Sequence, residues 1–541
     1  MEYSMFILLL FLATGMFYPV LSIACSIYLG GYYVWLQKKN KKTIRLNGID
    51  AACILLAVFY FLSVIWAVDK GMALIGACRW LSLVWMCLII KQWDTKQQEF
   101  VVRLLPWFAS GTVVLSALLY FTPAKDAFFV AGRLAGPFGY ANSYAMFLLI
   151  AVGILLAREQ IFEPKAIILL AVLLCGILWT ASRTVGILTL ILLAYHVGKM
   201  IIAGKHMKRN IIVILALFVL LAMGCMIPQV RGLYQRMADI SLHSSTFLGR
   251  LLYAQDSFQL IRRFPFGLGA FGYSYVNGIM ATGLYQIKYV HQALLQLILD
   301  IGIGPAVVFL VILIYGIKKA HIHVNPYVPI MALAMLHAMF DIDMEYVTIP
   351  MILVFLLQSK SEDNGREIPL RGGVIFQLLL SVASVLFLPV MIANLFYLSG
   401  NYDGALAVCS FYTDARELRM EESFGFEEIQ QDAYTLVKNN PYSAKGYQMM
   451  GALAYLDGNY EEMQMYLDRE LELVPYQSTE YEMYEEFLLE IIEQNEDDQE
   501  LVVQCESKLQ ELDDLKRGKL SHMSELGKQI ADQPKFKLQG E

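Results

Sequence analysis

AIILLAVLLCGILWTASRTVGILTLILLAYHVGKMIIA, residues 166–203, carries only two charged side chains, Arg183 and Lys199. One bilayer crossing takes about 20 apolar residues, so this stretch is too long for one span and fits two. The Ser182-Arg183-Thr184 break divides it into 166–181 and 184–203. A backbone in hydrocarbon must satisfy its own polar groups, which makes both halves helices. The fold class follows: all-α, a polytopic helical membrane protein.

Reading outward from this pair, similar apolar runs fall at 4–16, 18–36, 48–67, 72–90, 99–121, 138–157, 210–228, 291–316, 326–341, 345–358 and 373–397. The first two sum to barely two crossings, so the expected number of spans is 12 or 13. Composition agrees, with 57% hydrophobic and 17% charged residues. The net charge of −6 conceals a division. From Gly400 on there are 31 acidic and 12 basic residues, a net of −19; the preceding part holds 17 and 30, a net of +13. A basic membrane domain, 1–398, is therefore expected ahead of an acidic domain, 399–515, and a polar, flexible tail, 516–541. Six cysteines (Cys25, Cys53, Cys78, Cys87, Cys175, Cys225) lie in apolar spans and act as small hydrophobes. Cys409 and Cys505 stand alone in the acidic part, and no CxxC or Cys/His metal spacing occurs. The first apolar run lacks a basic leader and a cleavage site and reads as a retained span.

The loops alternate in basic content. One set, from Lys38–Arg45 through Lys360–Arg371, holds eighteen Lys and Arg; the other short loops hold Lys70, Lys125, Arg133 and Arg183. The positive-inside rule makes the first set cytoplasmic and places the acidic domain outside. The long segment 229–290 also falls outside. It carries six basic residues (Arg231, Arg236, Arg250, Arg262, Arg263, Lys288) against Asp239 and Asp256. Loops of that length escape the charge rule. An outer position excludes nucleic acid and cytosolic nucleotides as its anionic partner.

Four patches share the outer face. They are Gly132–Ser143 leading into a span, Ser182-Arg183-Thr184, Gly249-Arg250 with Pro265–Gly269 downstream, and His291-Gln292 opening the span that holds Asp300. Gly, Pro and Asn in the first give an irregular backbone ahead of a helix N-terminus, a natural anion site. A single Arg at a span end is more often a snorkelling anchor than a ligand contact. Several on one face point together to an anionic ligand. Arg79 and Asp300 lie within spans, where charges pair with each other or face a cavity. His337 and Asp341, four apart at the outer end of one span, share a helix face. The string Gly267–Gly272 matches GxGxxG, but no βαβ unit surrounds it, so it is not a dinucleotide site. His321 and His323 suggest no metal.

In order, G-R-x-x-G-P-F-x-x-x-N at Gly132–Asn142, S-R-T at 182–184, G-R at 249–250, P-x-x-G-x-G from Pro265 and H-Q-x-x-L-Q-x-x-x-D-x-G-I at 291–303 resemble the O-antigen ligase/polymerase superfamily. The resemblance covers roughly residues 1–397. Gln292 and Asp300 stand where Asn and Glu are usual. It implies a GT-C-like bundle working at the outer leaflet of the cytoplasmic membrane in cell-envelope polysaccharide synthesis. It also implies a donor glycan on an undecaprenyl pyrophosphate carrier, and a glycan, wall-polymer or protein acceptor. The residue chemistry agrees. Arg is a permanently charged fork for a departing pyrophosphate, and His suits removal of a hydroxyl proton near neutral pH. The expected catalytic residues are Arg183, Arg250 and His291. Arg133, Asn142 and Arg79 are expected at the donor, with Asp300, His337 and Asp341 behind them. No metal and no cofactor is required, because the donor carries its own activation.

In the acidic domain Asn440-Pro441-Tyr442 recurs as Val474-Pro475-Tyr476, 34 residues on, with Gly451, Ala452, Gly458 and Asn459 between. That period resembles tetratricopeptide repeats, two or three degenerate copies. Such a unit binds a protein partner or caps the membrane domain. Two other functions stay open: a flippase of the same lipid-linked saccharide, and a membrane-anchored repeat scaffold.

Overall fold

In the computed structural model the described residues are 2–40, 43–158, 163–202, 245–320, 325–361, 365–423 and 425–538. The expected span 210–228, Arg231, Arg236, Asp239 and the pair His321/His323 lie outside them. The described chain is helical apart from two small two-stranded pairings, and it divides into two compact units. The apolar runs are helices. Five are long and apolar enough to cross a membrane: Pro19–Asn40, Lys70–Gln92, Thr95–Leu119, Arg183–Ile202 and Arg371–Leu398. Others, such as Gly48–Ser63, Ala141–Leu156 and Pro164–Thr180, are shorter.

The first unit comprises Met1–Val58, Cys78–Ser241 and Val307–Met391. Its centre is Ala141–Leu156, buried on every side, as a helix apolar all round must be. It packs against Thr95–Leu119, Pro164–Thr180, Arg183–Ile202 and Val328–Ala338. The expected hairpin at 166–203 is present. Pro164–Thr180 ends at Ala181 in the left-handed conformation (φ 49°), and Arg183–Ile202 begins two residues later. Ahead of the central helix, Phe129–Val130 pairs antiparallel with Arg133–Leu134. The two turn residues, Ala131 (φ 49°) and Gly132 (φ 73°), have the double positive φ of a type I′ hairpin.

The second unit comprises Phe59–Ala77, Leu242–Ala306 and Ile392–Glu541. The sequence implies one span over 291–316, but two helices stand there, Ala293–Ile301 and Ile303–Lys319. Gly302 breaks them at φ 89° because the loop before them is docked on the break. The Leu268 and Gly269 amides donate to the carbonyls of Leu299 (2.6 Å) and Asp300 (3.0 Å), and the Ile303 amide donates to Pro265 (3.0 Å). A Cβ at Gly302 would lie 2.4 Å from the Phe266 carbonyl oxygen. The glycines of the GxGxxG string thus serve close backbone approach.

The acidic part of this unit is a run of helices: Phe426–Asn439, Ala444–Leu456, Tyr460–Leu473, Ser478–Gln494 and Gln499–Ser521. Successive helices pack together, with Met463, Leu467, Tyr481, Tyr484, Leu488 and Leu512 in the core. Side chains of Ser443, Asn459 and Asp498 cap three of them, satisfying first-turn amides. Parts of the segment from Lys516 contact the rest of this unit. Lys516 is buried against Glu485 (2.6 Å). Leu526 and Ile530 pack on Leu248 and Leu252, and the Ser524 amide donates to the Thr282 carbonyl (2.9 Å). A few apolar residues among polar ones suffice to dock it.

Candidate active site

In the first unit the hairpin aims Arg133 at the turn between two helices. Its Nε donates to the Thr180 carbonyl (2.8 Å) and its Nη2 to Asn142 Oδ1 (2.6 Å). Asn142 Nδ2 donates onward to Asp341 (2.8 Å), which also accepts the Tyr140 hydroxyl (2.9 Å). Arg133, Asn142 and Asp341 therefore share one network. Arg183 starts the next helix, half-buried, three residues beyond the carbonyl that Arg133 holds. A cation at a helix N-terminus opposes the helix dipole, and the two fields together favour an anion there.

The helix Val328–Ala338 ends before Asp341, so His337 and Asp341 do not lie on one helix face, and His337 meets Asp343 (Nδ1 to Oδ2, 2.5 Å). Asp343 also accepts the Ser143 hydroxyl at 2.9 Å. Asn142 and Ser143, adjacent at the helix start, thus hold Asp341 and Asp343 separately. Arg79, expected at the donor, is 1% exposed and ion-paired to Glu345 (2.9 Å). It donates to the carbonyls of Glu345 and Phe17 as well. Its guanidinium is committed to joining three segments of the unit.

In the second unit the helix Ser245–Arg263 carries Arg250, and one turn on is Tyr253. Tyr253 meets the His291 ring (centroids 6.2 Å apart) and the Tyr285 ring (4.7 Å). Burial pushes the Tyr253 hydroxyl up, while the nearby Arg250 charge pulls it down. Arg250 and His291 both lie near this tyrosine. His291 has a left-handed backbone (φ 57°), costly for a residue with a Cβ. It is followed by Gln292, whose side chain caps the helix Ala293–Ile301 through the Leu295 amide. Asp300 lies behind this turn. It accepts Gln296 Nε2 (2.8 Å) and the Tyr60 hydroxyl (2.9 Å). Gln296 Oε1 in turn accepts the Val290 amide at 3.0 Å, next to His291. Asp256, buried on the Arg250 helix, accepts the Thr282 amide and hydroxyl and the Tyr285 hydroxyl. Burial raises its carboxyl despite these bonds.

The family model described as O-Antigen ligase matches residues 168–317. No curated protein and no solved structure matches the chain. The matched stretch contains Arg183, Arg250, His291 and Asp300, and it excludes Arg79, Arg133, Asn142, His337 and Asp341. The match supports the O-antigen ligase/polymerase superfamily, and with the apolar helices it supports a multi-pass, glycosyltransferase-like membrane protein. That family uses a lipid-linked glycan donor and a glycan acceptor in general.

Sequence reasoning did not single out Tyr253, Tyr140, Asp343, Glu345 or Tyr60. Tyr253 had a signal, standing three residues after Arg250 on one helix face. Tyr140, Glu345 and Tyr60 meet partners far away in the chain, and Asp343 meets both the nearby His337 and the distant Ser143. Among the described residues no group of three or more His, Cys, Asp or Glu side chains could hold a metal ion.

Proposed function

We propose that the protein transfers or polymerises a glycan from an undecaprenyl-pyrophosphate carrier onto an acceptor hydroxyl at the outer face of the cytoplasmic membrane. The observation that carries this reading is the family match over the stretch holding Arg183, Arg250 and His291. His291 takes the proton of the attacking hydroxyl. The acceptor oxygen bonds to the anomeric carbon, and the bond from that carbon to the phosphate oxygen breaks. The electron pair leaves on the carrier pyrophosphate. Arg183 and Arg250 hold that developing charge through bidentate hydrogen bonds, where a fixed fork is worth most. Arg133, set by Asn142 and Thr180, shapes the donor side. Asp300 acts through Gln296 to set the turn at His291. Arg79 has an architectural part. The acidic helices of the second unit are read as a tetratricopeptide-like, extracytoplasmic module.

The test is transfer from a purified lipid-linked glycan by reconstituted full-length protein. His291→Ala should lower the rate by about 100-fold or more, the scale of general base catalysis. Wild-type transfer by that variant would remove His291 from the role. Arg250→Lys should lose most activity, since Lys keeps charge but not the fork. The glycan pool of a deletion strain separates the two reactions. Single repeat units on lipid indicate a polymerase, and long lipid-linked chains indicate a ligase.

A further inference from the structure

The second unit contains a cavity of about 490 Å³, within the range of small-ligand sites. One wall is the segment 274–288; the other is the start of the acidic helices and the Leu473–Gln477 turn. The wall is neither greasy nor uniformly charged. Tyr275, Tyr442 and Tyr476 contribute aromatic surface, and Gln286 and Gln477 contribute amides. Tyr442 is held in place by an edge contact with Phe264 and by Arg469 over its ring.

The charges are arranged in a telling way. Lys288 pairs with Asp414 (3.0 Å) and Lys445 with Glu421 (3.4 Å), so both cavity lysines are neutralised. Glu417, the third carboxylate, accepts the Ser443 hydroxyl and has no salt bridge among the described residues. An anion such as a phosphate would meet no uncompensated cation and one extra carboxylate. An acyl chain would shut three carboxylates and two glutamine amides away from water, at a cost. A folded protein partner needs an interface far larger than this hollow. A sugar fits both kinds of wall. Its C–H face lies on tyrosine rings, and its hydroxyls bond to carboxylate and amide oxygens and amide N–H groups.

We propose that this cavity binds a short, uncharged saccharide segment of the glycan that the protein handles, holding the chain away from the reacting end. The proposal rests on the glycan-transfer reading for the identity of that chain. It also gives the acidic helices a ligand, because the loop and the helices each supply half of the wall.

The test uses full-length protein in detergent micelles. The probe is the oligosaccharide pool released by mild acid from the source strain's lipid extract, end-labelled with a fluorophore and split by anion exchange into neutral and acidic fractions. The neutral fraction should be retained, measured by fluorescence polarisation. Gln286→Trp, an exposed substitution that fills the cavity, should weaken retention at least tenfold, as should Tyr442→Ala. No retention, retention unchanged in Gln286→Trp, or retention of the acidic fraction alone overturns the proposal. His291→Ala separates it from the transfer reading. That variant should retain the neutral fraction as wild type does while losing transfer. Wild-type retention without any transfer by the wild-type protein would sink the transfer reading and leave the cavity standing. Transfer without retention would do the reverse.

Discussion

At Asp300 one carboxylate serves two segments, taking Tyr60 on one oxygen and Gln296 on the other. Asn at this position keeps the shape, and the Tyr60 hydroxyl can turn to accept from it, but the bond from Gln296 loses the charge that strengthens it. Gln296 then holds the Val290 amide less firmly, and the left-handed turn at His291 relaxes. Asp300→Asn should lower kcat by roughly tenfold, a loss of about 1.4 kcal/mol in the transition state, with KM little changed. Steady-state transfer kinetics decide it; a KM effect alone would place Asp300 at ligand binding instead. The Arg79–Glu345 pair predicts a different readout. Removing the acid leaves a buried guanidinium without its counter-charge, which costs about 3–5 kcal/mol. Glu345→Gln should therefore lower the thermal midpoint sharply in detergent. An unchanged midpoint would show that the carbonyls of Phe17 and Glu345 suffice for Arg79.

Among the elements, the join between Ala293–Ile301 and Ile303–Lys319 is the most demanding. Gly302→Ala puts a methyl against the Phe266 carbonyl and forces an L side chain into a conformation it rarely adopts. The expected cost is about 1–3 kcal/mol for the backbone alone, more with the clash, read as lost folded yield or a lower midpoint. Gly304, which has open space around its Cβ position, is the control: Gly304→Ala should be nearly neutral. This join also shows where sequence reading fails. The break at Ser182 is legible because polar residues interrupt an apolar run. At 302 the run stays apolar, the Gly302-Ile303-Gly304-Pro305 signal was passed over, and the break is fixed by a loop about thirty-five residues upstream in the chain. The shared helix face expected for His337 and Asp341 is absent for a related reason. Their four-residue spacing has meaning only on a helix, and the helix stops at Ala338. Arg133 and Asn142 were legible as a pair because only eight residues of Gly-rich chain lie between them, short enough to fold back. Asp341, the partner of Asn142 and 199 residues beyond it, was legible only as a polar group at a span end.

On the scale of the whole chain, acidity is concentrated in the second unit, and burial has acted on several of its carboxyls in the same direction. Glu417 is pushed up to about 7, first by burial and then by Asp414. Glu470 is pushed up to about 10, again by burial first, with Glu480 adding repulsion. Asp69 and Asp256 are raised as well, chiefly by burial. A group with a raised native pKa holds its proton when the unfolded chain has released it. Its contribution is complete below the ordinary carboxylate value of 4.5 and falls as pH climbs to the native value. Glu417 therefore weakens the unit between pH 4.5 and about 7, and Glu470 does so across the whole range from 4.5 to about 10. The thermal midpoint of the second unit should fall steadily from pH 5 to pH 9. Glu417→Gln, which stays neutral at every pH, should make the acidic part of that slope shallower, and Glu470→Gln the whole of it, including the alkaline part. Midpoints taken by differential scanning fluorimetry on the full-length protein across that range provide the check. A flat profile in the wild type, or a slope unaltered in Glu470→Gln, would mean that these carboxyls ionise in the folded unit without penalty.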